Sequence, residues 1–162
     1  MKSSYLCVVA VIFSLFLNSC SKEDEVGDPE VLMPGVWKPI EKQYLDDAGK
    51  IIRSVTDDES ECLRRSKWEF AYDLFQLEIY EETEEGHCYR NIHKQGGQWH
   101  KGEDSYYLFY SGGLMFVEAF EILHLRKNKM TLKLMGGISR NDHPVIISFE
   151  KISDEAEVFI NY

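Results

Sequence analysis

The sequence predicts an all-β protein, an antiparallel up-and-down meander of about 8–10 strands closed into a barrel. Three observations carry this. From Gly35 onward, short runs rich in Val, Ile, Thr, Tyr, Phe and Trp recur between turn signals. Polar and apolar residues alternate with period two, as in Thr131-Leu132-Lys133-Leu134, and in Phe120, Ile122 and His124 against Glu121, Leu123 and Leu125. No convincing helix-period stretch remains there, although Val55–Arg65 has room for one short helical turn. With 44% apolar and 13% aromatic residues, the chain carries the payload of a packed fold, which disordered chains lack.

The first element is of a different kind. Met1-Lys2-Ser3-Ser4 is a short basic start, and Tyr5 to Leu17 is apolar apart from Ser14. At 1.5 Å per residue that run reaches roughly 20 Å, too short for a bilayer core of about 30 Å but suited to a signal peptide. It ends in Leu17-Asn18-Ser19-Cys20 rather than an Ala-x-Ala-like site. These four residues resemble the bacterial lipobox. The resemblance implies cleavage before Cys20, diacylglycerol on its thiol, a signal peptide over residues 1–19 and a mature chain beginning at Cys20. Two or three acyl chains, at roughly 0.8 kcal/mol per buried methylene, anchor a protein firmly.

Ser21-Lys22-Glu23-Asp24-Glu25 follows and resembles the lysine-plus-acidic export signal of surface lipoproteins in one Gram-negative phylum. That implies an outer-membrane anchor with the domain at the cell surface; the alternative is an ordinary polar linker, with the domain facing the periplasm. Residues 20–33 lack periodicity and hold Gly27 and Pro29, so they read as an acylated cysteine and flexible acidic linker. The barrel domain is expected over 34–162.

Removing the signal leaves roughly 140 residues, the size of a single domain with a real core. The formal charge is −10, and Lys2 is the only charged residue before Cys20. The mature portion is therefore one unit more acidic still. Such a surface repels phosphate backbones and anionic headgroups, so no nucleic-acid partner is expected, and the membrane is reached through lipid alone.

Candidate strands are 36–44, 50–55, 67–72, 75–81, 87–94, 98–101, 105–110, 116–126, 129–135 and 145–152. The Gly-Gly pairs at 96–97, 112–113 and 136–137, together with Lys127-Asn128 and Asp46-Asp47-Ala48-Gly49, sit where tight hairpin turns belong.

Of four cysteines, Cys7 leaves with the signal and Cys20 is acylated, which leaves an even pair in an oxidising envelope. A Cys62–Cys88 disulfide is the economical assignment, stabilising by roughly 3–4 kcal/mol in the chain-entropy model. A zinc site aided by His87 and His93 is the rival, although no CxxC or HExxH spacing supports it.

Gly35-Val36-Trp37 opens the first strand, Cys62, Trp68-Glu69-Phe70 and Cys88 follow, and then comes a string of hairpins. This pattern resembles the lipocalin-like domain of bacterial envelope lipoproteins, over about residues 34–152. The resemblance implies that Gly35 and Trp37 form the fold motif, with the Trp plugging the closed end of a barrel. No Thr-Asp-Tyr motif of kernel lipocalins follows.

No catalytic constellation emerges. His87 and His93 on one strand would stand about 20 Å apart, too far for one ion, so no metal is expected. The acidic runs 57–61 and 81–85 match no calcium loop. Gly-x-Ser-x-Gly is absent, and no pair among the many carboxylates is singled out. The densest feature is aromatic. Tyr107 and Phe109 fall on one strand face, Tyr106 and Tyr110 on the other, near Trp99 and Phe120. Two readings of this string stand: barrel core with an aromatic outer cover, which is the favoured one, or an apolar cavity with polar rims, for which Trp99, Tyr107, Phe109 and Phe120 are the candidate ligand-binding residues. The expectation is a binding module without enzymatic activity or cofactor, holding a small apolar or amphipathic ligand. The alternative is a protein-interaction module or an inhibitor of a basic enzyme such as lysozyme.

Overall fold

The computed structural model describes residues 27–83, 85–92, 95–111, 117–135 and 143–156. Strand β1 (Gly35–Leu45) leads into β2 (Ile51–Thr56), and then come β3 (Lys67–Ala71) and β4 (Leu74–Glu78). A small hairpin, β5 (Tyr80–Glu82) and β6 (Cys88–Arg90), precedes β7 (Gly96–Lys101), β8 (Tyr106–Tyr110), β9 (Val117–Arg126), β10 (Lys129–Leu134) and β11 (Val145–Ser153). Two helices of about one turn, α1 (Pro29–Leu32) and α2 (Glu61–Arg65), complete the described elements.

Eight strands close an antiparallel barrel in the order β1-β3-β4-β7-β8-β9-β10-β11. The ring shuts where β11 pairs with β1, from Val36 opposite Ser153 to Tyr44 opposite Val145. Closure removes the row of unpaired N–H and C=O groups that an open meander would expose. Strand β2 lies outside the ring. It pairs with the C-terminal half of β1, while the N-terminal half pairs with β3. The β5–β6 hairpin forms a separate two-stranded sheet.

A bulge in β1 sets which residues look inward. Trp37 and Pro39 pair opposite Lys151 and Phe149, then the register shifts so that Glu41 stands opposite Ser148. Pro39 has no N–H to give the ladder, and proline tolerates a sheet interior only at such an irregularity. The extra residue reverses the alternation. Beyond it Lys42 and Tyr44, opposite Ile147 and Val145, share the inner face.

One end of the barrel is sealed. Trp37 is fully buried, and its Nε1–H donates to the Met33 carbonyl at 2.7 Å. The Lys151 ammonium sits 4.8 Å from the Trp37 ring centroid and donates to the carbonyls of Pro34 (2.8 Å) and Leu32 (3.0 Å). Glycine is needed at position 35: its φ is +133°, and a Cβ there would press on the Ser153 carbonyl oxygen. Above this plug pack Trp68, Phe70, Phe75, Trp99, Leu108, Phe120, Leu125, Met130, Leu132 and Phe149. Each such side chain stabilises by about 1.5–3 kcal/mol through removal from water. Edge-on ring pairs, such as Trp68–Phe149 at 5.0 Å and Phe75–Tyr110 at 5.2 Å, add to this.

Several elements depart from the sequence expectations. Residues 27–33 are not a free linker. Asp28 caps α1 by accepting from Glu30 N–H (3.1 Å), Gly27 N–H donates to the Leu125 carbonyl (3.1 Å), and Met33 is fully buried. A single apolar turn has no periodicity to betray it, yet it covers the barrel end. Gly96-Gly97 is not a turn but the start of β7, because the β8 backbone comes so close that a Cβ on Gly97 would collide with the Phe109 carbonyl. The Gly-Gly pairs at 112–113 and 136–137 lie outside the described residues. The expected strand 75–81 divides into β4 and β5, and among the described residues of 87–94 only Cys88–Arg90 is a strand, paired with β5 rather than the barrel.

Candidate ligand cavity in the barrel mouth

The core fills the sealed end, and the opposite end opens into a cavity of about 780 Å³. Its apolar wall comes from Leu63, Trp68, Ile79, Leu134, Val145 and Ile147. Leu134, Val145 and Ile147 sit at the mouth ends of β10 and β11 and Trp68 near the start of β3, while Leu63 belongs to α2 and Ile79 links β4 to β5. β2 extends the wall on one side, since Val55 and Arg53 pair opposite Lys42 and Tyr44 and share their face.

Helix α2 and the β5–β6 hairpin form one unit beside the mouth. Ser60 starts α2 by accepting from Leu63 N–H at 3.2 Å, with Glu61 in the first turn and Arg64 and Arg65 in the last, the charge order that suits a helix dipole. A disulfide joins Cys62 to Cys88, with Cα atoms 5.3 Å apart, and so ties α2 to β6. Ser66 is buried; its Oγ donates to the Cys62 carbonyl and accepts from Tyr80 N–H, both at 2.9 Å. The Arg65 guanidinium lies 4.3 Å from the Tyr80 ring centroid. Lys38 and Asp57, paired at 2.6 Å, hold the approach to α2 against β1.

Charge within the cavity is unevenly placed. Glu118, nearly buried, accepts from the Tyr110 hydroxyl at 2.8 Å. Burial first, then the neighbouring Glu118 charge and this hydrogen bond, push the Tyr110 phenol well above its usual range. At the rim, Lys42 Nζ lies 4.9 Å and Arg53 Cζ 5.6 Å from the centroid of the Tyr44 ring. His143, also on the rim, has Nδ1 3.5 Å from Asp47 Oδ1.

None of the four aromatic candidates lines this cavity. Trp99 packs on Phe70 and Tyr106, beside a smaller hollow of about 420 Å³ near the sealed end. Phe120 is fully buried and stacks on Tyr106. Tyr107 and Phe109 face outward, while Tyr106, Leu108 and Tyr110 face inward. A strand aromatic on both faces gives alternation no way to choose the inner one, so the pattern fixes the faces but not their direction. Gly35 and Trp37 stand at the sealed end, whereas Cys20 lies outside the described residues. Sequence reasoning missed Lys42, Tyr44, Arg53 and Glu118. The available signal was Pro39 inside a strand, which marks a bulge and a reversal of facing.

Among the described residues no group of three or more His, Cys, Asp or Glu side chains is placed to hold a metal ion. The fold and the cavity define a closed antiparallel β-barrel, sealed at one end and hollow at the other. No protein-family model matches the chain, and no curated protein matches it either.

Proposed function

We propose that this is a lipid-anchored bacterial envelope lipoprotein whose lipocalin-like barrel binds a small apolar or amphipathic ligand in its mouth. The supporting observation is the 780 Å³ hollow, in which an apolar wall from Leu63, Trp68, Ile79, Leu134, Val145 and Ile147 faces polar and charged groups both inside (Glu118) and along the rim, within the roughly 300–1,000 Å³ range of small-molecule sites. A core packed to crystal-like density along its whole length would have favoured interaction through loops instead. The role assigned is binding, without catalysis. The anchor rests on Leu17-Asn18-Ser19-Cys20, and an outward-facing location on Lys22 to Glu25.

The test is titration of the purified protein with a fluorescent fatty acid, beside Leu134→Trp and Val145→Trp, which add bulk to the cavity wall. Wild type takes up the probe, and the variants lose most of that uptake while keeping their circular dichroism and melting temperature. Equal uptake by folded variants would overturn the reading. Net charge favours one rival, capture of a basic protein such as lysozyme by the acidic surface. In that case binding of the basic partner falls steeply with salt and ignores the cavity substitutions. For the anchor, mass spectrometry finds diacylglycerol on wild type and none on Cys20→Ala; lipid on that variant would end the claim.

A further inference from the structure

We propose that the ligand of this cavity is an amphipathic anion: its headgroup (carboxylate, sulfate or phosphate) seats at the rim on Lys42 and Arg53, and its apolar tail runs inward against Trp68, Leu134 and Ile147. This rests on the cavity being a binding site and adds the charge class and polarity of the occupant.

The first ground is an imbalance of partners. The chain carries a formal charge of −10, so a cation on its surface has carboxylates in excess around it. Lys38, Lys67, Arg65 and Lys133 each have one within ion-pair distance. Lys42 and Arg53 have none among the described residues, and neither have Lys50, Lys101, Lys127 and Lys129; what sets Lys42 and Arg53 apart is that both line the cavity and both approach one ring, Tyr44, at 4.9 and 5.6 Å from its centroid. Two like charges gathered about one ring repel each other, and an anion bound beside them offsets that repulsion.

The second ground is what the cavity's own carboxylates do. Glu118 accepts from the Tyr110 hydroxyl at 2.8 Å. Glu81 accepts from the Tyr89 hydroxyl at 2.9 Å and the Asn91 amide at 3.1 Å. Glu82 is exposed. The acids are thus held by hydrogen-bond donors or turned to water, and the cation pair is left open to an external anion.

The third ground is polarity along the barrel. The cations stand where β1 and β2 overhang the mouth, whereas Trp68, Leu134, Val145 and Ile147 lie on barrel strands where the cavity meets the packed core. A ligand charged at one end and apolar along the rest fits this order. A guanidinium fork suits the paired oxygens of such a headgroup, and Lys42 adds a point charge beside it.

The experiment compares decanoate, decanol and decylamine by titration calorimetry on the full chain, wild type and Lys42→Ala/Arg53→Ala. Decyl phosphate tells a carboxylate preference from a phosphate one. In wild type the anions bind about tenfold more tightly than decanol, in keeping with a charge-assisted contact at a partly exposed rim, and the amine binds worst. The double variant loses the anion preference but keeps decanol affinity, its melting temperature is unchanged, and Lys42→Arg retains the preference. Equal wild-type binding of decanol and decanoate overturns the proposal while leaving the cavity as an apolar site. So does a double variant that weakens decanol as much as decanoate. Failure of all four ligands to bind removes the cavity reading itself, and the proposal with it.

Discussion

The hydroxyl of Tyr110 donates to the carboxylate of Glu118 at 2.8 Å inside the barrel, joining neighbouring strands β8 and β9 just beneath the mouth. Burial and the Glu118 charge raise the Tyr110 pKa well above its ordinary 10.0. A raised folded-state pKa means that the native state holds the proton after the unfolded chain has released it. The associated stability is therefore complete below about pH 10 and falls as pH rises further. Urea midpoints measured between pH 8 and 11 should decline for wild type and decline less for Tyr110→Phe. At pH 7 the Phe variant costs about 1–3 kcal/mol, since Glu118 loses a hydrogen-bond donor in a nearly dry site.

The sealed end depends on Trp37, and the loss should scale with what is removed. Trp37→Ala takes away a fully buried ring together with its bond to the Met33 carbonyl, and is expected to cost about 3–5 kcal/mol. Trp37→Phe keeps most of the ring volume but leaves that carbonyl without its donor, for about 2 kcal/mol. Lys151→Met keeps the length of the side chain but strips donors from the Leu32 and Pro34 carbonyls, so it should destabilise. Denaturant unfolding of the three variants checks the order.

Two glycines that look alike in sequence should behave differently. Gly97→Ala drives a Cβ into the Phe109 carbonyl and cannot be accommodated without separating β7 from β8, at a cost of about 3 kcal/mol or more. Gly49 has φ +77° but nothing within 4 Å of its would-be Cβ, so Gly49→Ala carries conformational strain alone, about 1 kcal/mol. Melting temperatures of the two variants decide it.

The Cys62–Cys88 bridge should matter to stability and to the cavity together. Replacing both cysteines by serine frees α2 from β6 and is expected to cost about 2–4 kcal/mol. Because Cys62 and Leu63 line the cavity, ligand affinity should fall further than for a comparable loss of stability at the sealed end. Calorimetry on the double-serine protein and on Trp37→Phe makes that comparison. Native wild type should give no free-thiol labelling at either position.

Much of the barrel was legible because period-two alternation and hairpin spacing are local. The expected strands 36–44, 129–135 and 145–152 each overlap an observed strand to within a residue or two, and Asp46–Gly49 and Lys127-Asn128 are turns. The Cys62–Cys88 pairing followed from counting thiols, and the bond is present. The residues facing the cavity were another matter. Tyr107 and Phe109 looked as suitable for an interior as Tyr106 and Tyr110, because nothing within a strand says which face turns inward.

The sequence by itself determined the strand periodicity and most of the turns, and it offered Cys62 and Cys88 as a pair. These rest on neighbours in the chain or on residue counts. The tertiary structure decided which face of each strand meets the core, that residues 27–33 seal one end, and that the barrel is left hollow at the other. It also gathered Lys42 and Arg53 around Tyr44, through one extra residue at the Pro39 bulge and the pairing of β2 with β1. Those outcomes depend on register between strands, and register is settled only when the ring closes and the apolar faces must all point to one interior.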